Sequence, residues 1–352
     1  MNRRDFICGT ASLGSLMAAT VAAGATAEEK SGIPAASNMP SGKDLGKARV
    51  LPPGRYDEHM HIYEDKDPKS ELLVQRLAEA GLKGGCVYSR EQMPSPRLRR
   101  STRLTPEQIV DNVIEWCSAS PTLYPFFWID PSRHDSVDLV DMAVEKGIYG
   151  FKVIRNNGMP CDGPALECYR RMAHWGRPVT FHSGILYDGV PSSEYFRPLA
   201  FEPLLRVPRL KFCLAHVSWP WCDECIAVYG KLLNAIAARG ENVPEMFIDT
   251  TPGTPKIYRR EALAKVFTIG YDVLDHVQFG TDCNAKKYNV DWCADWMRTD
   301  DAVFGELGLD AATVDSNYRG SLQRYLFGGD NKPRKVPVPD GTLGKRKGND
   351  IT

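Results

Sequence analysis

The chain has 352 residues, with 44 basic and 44 acidic side chains that leave no formal net charge. That balance, without a dense basic stripe interleaved with aromatics, argues against a nucleic-acid partner. A hydrophobic fraction of 43% and a charged fraction of 25% argue against disorder and provide for a sizeable core, in one large domain or two ordinary ones.

The first 27 residues, MNRRDFICGTASLGSLMAATVAAGATA, carry a basic start at Arg3 and Arg4, then a run of apolar and small residues. Ala25-Thr26-Ala27 supplies a cleavage site ahead of Glu28. Arg3-Arg4-Asp5-Phe6 resembles the bacterial twin-arginine export signal, so residues 1–27 are expected to be removed and the protein to be periplasmic, with no stable membrane insertion afterwards. A plain secretory signal is the alternative. Residues 28–50 read as an extended lead-in, 51–328 as the folded domain and 329–352 as a surface tail. Nine of the ten cysteines follow the signal, irregularly spaced, and read mostly as buried small hydrophobes. Cys222 and Cys225 form a lone C-x-x-C, either a redox pair or incidental neighbours on a helix.

Between lead-in and tail come eight β-like runs: RYDEHMHI (55–62), GGCVYS (84–89), LYPFFWID (123–130), GFKVIR (150–155), PVTFHSG (178–184), KFCLAHV (211–217), EMFIDTT (245–251) and HVQFGTD (276–282). Helical periodicity marks 70–82, 105–119, 136–147 and 222–240, and two further helices cover about 291–308 and 316–328. Many runs are continuously apolar, as in parallel strands covered on the outside. Eight strands alternating with helices predict an α/β fold, a (β/α)₈ TIM barrel. An open doubly wound sheet would carry a Gly-rich fingerprint after its first strand, and none is present.

Catalytic residues of such a barrel gather at the carboxyl ends of its strands. Those ends hold His59 and His61 on run one, Lys152 and Arg155 on run four, His182 on run five, His216 on run six and Asp282 on run eight. Strand residues i and i+2 share a face, so His59 and His61 are expected to point inward and Met60 outward. By the same parity Asp57 is expected inward but deeper, and Glu58, Glu64 and Asp65 are not required. His59, His61, His182 and Asp282 then form a nitrogen and oxygen donor set for one divalent metal, best suited to Zn²⁺ and tolerant of Mn²⁺ or Fe²⁺, with a position left for water. His134 and His174 read as surface or structural residues. His276, at the start of its run, reads as stabilising.

Together DEHMHI, GFKVIR, VTFHSG, LKFCLAHVSWPWCDECIAVYGK, MFIDTT, VQFGTDC and the closing SNYRGSLQRYLFG resemble the amidohydrolase superfamily, and within it the amidohydrolase-2 (ACMSD-like) family, across about residues 54–328. The resemblance implies a metal-dependent hydrolase with His59, His61, His182 and Asp282 as ligands. It places His216 against substrate or the reactive water, and it puts Lys152 where binuclear relatives carry a bridging carboxylated lysine. Asp282 is expected to act as base and His216 to polarise the scissile carbonyl of a small-molecule ester, lactone or amide. A decarboxylase or C–C lyase is the rival, with Arg90 or Arg155 gripping a carboxylate; an exported binding protein is a more distant one. After His216 the family usually has a glycine-rich turn. Here Val217-Ser218-Trp219-Pro220-Trp221 stands instead, an alteration of pocket shape. Trp219, Trp221, Tyr187 and Phe196 are candidate pocket walls or ordinary packing residues. A homo-oligomer is compatible with all of these readings.

Overall fold

Each β-like run of the sequence pairs in parallel with the run that follows it. The computed structural model describes residues 50–65, 68–91, 104–155, 158–187, 189, 191–240 and 242–328. The expected signal (1–27), nearly all of the lead-in and the tail (329–352) lie outside the described residues. In chain order the elements are β1 (Arg55–His61), α1 (Ser70–Glu79), β2 (Leu82–Tyr88), α2 (Pro106–Cys117), β3 (Leu123–Trp128), α3 (Ser136–Lys146), β4 (Gly150–Val153), α4 (Gly163–His174), β5 (Val179–Phe181) and α5 (Ser192–Tyr195). They continue with β6 (Lys211–Leu214), α6 (Cys222–Arg239), β7 (Glu245–Asp249), α7 (Lys256–Thr268), β8 (Val277–Gln278), β9 (Cys283–Asn284), α8 (Val290–Glu306), α9 (Ala311–Asp315) and α10 (Ser321–Phe327).

The sheet order is β8-β7-β6-β5-β4-β3-β2-β1-β9, parallel throughout, in register at pairs such as Met60↔Val87, Phe127↔Phe151 and Thr180↔Cys213. The eighth run, expected as one strand, is broken into β8 and β9. The turn at Gly280-Thr281-Asp282 interrupts it, with Asp282 in the left-handed region at φ 57°. The ring still closes: Glu58 N donates to Phe279 O (3.0 Å), Asp282 N donates to His59 O (2.8 Å), and β9 pairs with β1. This is the (β/α)₈ barrel that the alternating runs predict.

Two apolar layers hold it. Met60, Val87, Phe127, Phe151 and Leu214 face outward into one continuous core with Leu73, Val110, Trp116 and other helix residues. Tyr56, Tyr88, Phe126, Cys213 and Phe247 face inward, where Leu322 and Tyr325 of α10 pack with them. Local signals set the helix ends. Thr105 and Gln108 form a reciprocal capping box ahead of Pro106, and Gly147, at φ 111°, ends α3. The helix α7 was hard to see in the sequence because a charged residue, Arg259, lies on its buried face. Both Arg259 and Asp300 of α8 are fully buried; Nε and Nη2 each donate to a carboxylate oxygen at 2.7 Å, and Trp296 lies under the guanidinium. Cys222 and Cys225 begin α6 as buried, unbridged thiols that burial raises to about 11 and about 12, which fits incidental neighbours better than a redox pair. No helix among the described residues is long and apolar enough to cross a membrane.

Two predictions test this frame. Asp300→Ala leaves a buried guanidinium uncompensated and is expected to cost about 3–5 kcal/mol in urea unfolding. The double change Arg259→Met with Asp300→Leu is expected to lie near wild type, because it removes both charges from a dry interface. The second concerns Glu245, at the amino end of β7, which accepts hydrogen bonds from His276 (3.0 Å) and Arg324. Burial alone would raise its pKa, but His276 and Arg324 outweigh burial and hold it at about 2. Its stabilising contribution is therefore complete above the unfolded carboxyl value of about 4.3 and disappears as pH falls towards 2. Thermal melts between pH 5 and 2.5 should show wild type losing more stability than Glu245→Gln; parallel curves would contradict the assignment.

Candidate metal centre

A bulge in β1 builds the site. Asp57 pairs with Gly85 and Met60 with Val87, so three steps along β1 match two along β2. The extra residue turns both Glu58 and His59 towards the barrel interior. Asp57 points the other way, which corrects the expectation that it shares the inward face: its carboxylate accepts from Thr281 N (3.0 Å), Thr281 Oγ1 (2.5 Å) and Tyr288 Oη (2.8 Å). Gly85 is required here because a Cβ would sit 1.7 Å from Asp57 O.

Three donor atoms converge above the bulge. His59 Nε2 and His61 Nε2 lie 3.1 Å apart, and Asp282 Oδ1 lies 3.3 Å from His61 Nε2 and 3.8 Å from His59 Nε2. Ligands about 2.0–2.2 Å from a tetrahedral ion stand roughly 3.3–3.6 Å from one another. The donor set therefore matches the size of one small divalent cation. His182 faces the same pocket from the end of β5, with Nε2 buried and without a partner among the described residues. The tight group, with atoms within 4.8 Å of one another, is His59, His61 and Asp282.

The protonation states suit metal binding. Burial, reinforced by the Lys152 charge, lowers His59 to about 3. Burial also lowers His61, His182 and His216, keeping all four imidazoles neutral. Burial works against ionisation of Asp282, yet the hydrogen bond to His61 and the neighbouring imidazoles hold its carboxyl well below the usual range. Its side chain is 36% exposed, at the open side of the site.

Asp249, at the carboxyl end of β7, is a site residue not picked out in the sequence, although it stands in EMFIDTT at a strand end like the others. It is fully buried. Oδ2 lies 2.8 Å from His59 Nδ1, while Oδ1 accepts from His216 N (2.9 Å) and Thr251 N (2.8 Å). Fixing Nδ1 as the protonated nitrogen leaves His59 Nε2 as the lone-pair donor. The same carboxylate anchors the turn at His216, Val217 and Ser218, whose φ values are 63°, 48° and 53°. A glycine-rich turn would adopt these angles without strain; here Val217 and Ser218 adopt them.

The pocket has a volume of about 310 Å³ and is lined by the four site histidines, Asp282 and Lys152, with walls from Tyr63, Trp128, Ile154, Ile185, Leu186, Tyr187 and Pro252. Lys152 is fully buried, with Nζ 3.1 Å from His59 Nε2. Neither Arg90 nor Arg155 lines the pocket. Arg90 Nη1 donates to Tyr63 O (2.7 Å) and pairs with Asp65 (3.0 Å), and Arg155 pairs with Asp162 (2.7 Å). Of the candidate aromatic walls only Tyr187 lines it. Phe196 stands edge-on to His182, Trp219 stacks on Tyr258, and Trp221 lies under Arg197.

Gly280 forms part of the wall behind His59. A Cβ there would sit 2.5 Å from Thr251 Oγ1 and 2.7 Å from His59 Cβ. Gly280→Ala is expected to cost about 1–3 kcal/mol through overpacking, measured by urea unfolding. A variant as stable as wild type would show that this wall can yield.

Comparison with known proteins agrees with the geometry. The Amidohydro_2 family, described as amidohydrolase, matches residues 56–315. Among solved structures, a Staphylococcus aureus protein described as an amidohydrolase is similar at 10% identity and a TM-score of 0.50, covering 77% of this chain and 99% of its own. Amidohydrolase 2 from Bifidobacterium longum subsp. infantis is similar at 16% identity and a TM-score of 0.47, covering 78% and 98%. At 10% identity, the likeness to the Staphylococcus aureus protein speaks for the fold alone. No curated protein matches the chain. The family match spans most of the barrel, and the chain belongs to the amidohydrolase family, as an enzyme of that type.

Proposed function

We propose that the protein is a metal-dependent hydrolase that cleaves an ester, lactone or amide bond of a small molecule. The observation that carries this reading is the convergence of His59 Nε2, His61 Nε2 and Asp282 Oδ1 beside the unpartnered Nε2 of His182. These four residues would hold one divalent ion, Zn²⁺ best, with Mn²⁺ or Fe²⁺ compatible with the same donors. Such an ion, when bound, lowers the pKa of a coordinated water to about 7 and so supplies hydroxide at neutral pH.

The chain's own residues supply the rest. Asp282, ionised and partly exposed, takes the proton of the attacking water and returns it to the leaving group. His216 lines the pocket from the turn after β6 and donates to the carbonyl oxygen as charge develops there. The aromatic and aliphatic walls exclude bulk water and fit a compact substrate, since about 310 Å³ is near the lower end of small-molecule sites. Lys152 is a further substrate contact.

The arginines that a carboxylate-gripping lyase would need are engaged elsewhere, Arg90 with Asp65 and Arg155 with Asp162. Lys152 is the sole lysine or arginine among the described lining residues. Hydrolysis is therefore preferred over the ACMSD type of decarboxylation. The Arg3-Arg4-Asp5-Phe6 start supports export to the periplasm by the twin-arginine route.

The test combines metal analysis of purified protein with a turnover screen on lactones, esters and amides. Stoichiometric zinc, loss of turnover with a strong chelator and recovery on Zn²⁺ addition are expected. Asp282→Asn is expected to lower kcat at least 100-fold. Release of carbon dioxide from an accepted substrate, or full turnover after exhaustive chelation, would sink the reading.

A further inference from the structure

His216 stands on a turn whose conformation its own residues disfavour. His216 is at φ 63°, and Val217 and Ser218 follow at 48° and 53°. A β-branched valine rarely takes such an angle, and strain of this kind persists only where the surrounding structure over-determines it. Residues 211–229 contain no glycine, so the turn has no residue of its own suited to these angles. What holds it comes from the strands on either side.

Two glycines close on the turn from those strands. After β7, a Cβ at Gly253 would stand 2.8 Å from His216 Cβ, 3.0 Å from Cγ and 3.1 Å from Nδ1. After β5, a Cβ at Gly184 would stand 2.6 Å from Trp219 O and 3.1 Å from Ser218 C. Side chains do not pack that closely, so each bare Cα lets its loop approach the turn directly. Two hydrogen bonds join the same partners: His216 N donates to Asp249 Oδ1 (2.9 Å), and Ile185 N donates to Trp219 O (3.0 Å). On its other sides the ring of His216 meets His182 and His59, with centroids 5.0 Å and 5.4 Å away. Its Nδ1 is buried with no hydrogen-bond partner among the described residues. At that edge, which faces Gly253, packing sets the direction of the ring.

We propose that Gly253 is a positioning residue: its bare Cα, with Gly184 holding the far end of the turn, sets where His216 presents its ring to the substrate. The inference rests on the hydrolytic reading above, in which His216 donates to the carbonyl oxygen. Gly253 is not among the glycines at positive φ, so its backbone suits alanine and the added methyl is the whole of the change. That methyl must displace either the ring or the loop that carries it. A misplacement of about 1 Å in a group that meets the reacting atoms costs on the order of 100-fold in rate.

The experiment compares wild type, Gly253→Ala, His216→Gly and the double variant for turnover of an ester, lactone or amide that wild type accepts, for zinc content and for thermal melting. His216→Gly removes both the ring and its Cβ and takes φ 63° without strain. Gly253→Ala is expected to lower kcat about 10–100-fold, with KM within about threefold, zinc still stoichiometric and a lower melting temperature. In the His216→Gly background the same methyl meets no ring, and it is expected to change kcat by less than about twofold and to leave the melting temperature in place. A raised KM at unchanged kcat would overturn the inference, assigning Gly253 to the pocket wall alone. Loss of zinc from Gly253→Ala would overturn it too, as would an equal fall in melting temperature with and without the His216 ring. If Gly253→Ala does not fold, recovery of folding in the double variant supports the contact, and no recovery overturns it. A wild type that turns over none of the substrates sinks the hydrolytic reading and the inference with it, whereas an active wild type matched in kcat by Gly253→Ala overturns the inference alone.

Discussion

The bulge in β1 is the constraint on which the site depends. Without it, strict alternation would place Asp57, His59 and His61 on one face and send Glu58 into the helical layer. With it, Glu58, His59 and His61 face inward, and Asp57 is released to the outside. One extra residue thus supplies two adjacent inward side chains: the imidazole of His59, which reaches up to the other donors, and the buried carboxyl of Glu58. The bulge is held from the neighbouring strand, where Gly85 admits the Asp57 carbonyl at a distance no side chain would allow.

The same displacement determines where Asp282 stands. Asp57, turned outward, binds Thr281 through both its backbone N–H and its hydroxyl, and Tyr288 completes the cluster. That grip bends the chain between β8 and β9 and accommodates Asp282 at a positive φ, with Asp282 N donating to His59 O. The donor from the eighth strand is therefore positioned by the first strand twice, once through a side chain and once through the backbone. On the opposite flank Asp249 joins β7 to His59 and to the turn after β6. The centre is a ring of dependencies around His59, and a change at one member is felt by its neighbours.

What could be read from the sequence follows from how local the information is. The barrel was legible because apolar runs and helical periods recur along the chain, and His59, His61, His182 and Asp282 were legible as polar residues at strand ends. Asp249 satisfies the same rule and could have been found by applying it to the seventh run. The direction of Asp57 and Glu58 was not legible, since the bulge is created by Gly85 and Thr281, far along the chain. Nor was α7, whose buried Arg259 breaks the apolar stripe that marks a helix and finds its partner only in α8. Arg90 and Arg155 looked like carboxylate clamps because their acids, Asp65 and Asp162, become partners only through the loops at the barrel mouth.

The centre also sets a relation between stability and ligand. Glu58, Asp249 and Lys152 are buried to within 1% of complete, and each costs solvation that the apolar layers must offset. Burial lowers the pKa of Lys152, while Asp249 and Asp282 are both held ionised and the surrounding histidines neutral. Lys152, with Nζ 3.1 Å from His59 Nε2, is the sole lysine or arginine among the described lining residues to meet the two carboxylates and the converging lone pairs. A divalent ion there would meet the Asp282 carboxylate and offer a partner to His182 Nε2, so its binding free energy would add to that of folding. The barrel does not depend on that gain for its shape, because its outer core and the Arg259–Asp300 pair lie in the helical layer, away from the donors. The fold can therefore hold the unfavourable cluster ready, and an ion bound there would complete its electrostatics without having to build it.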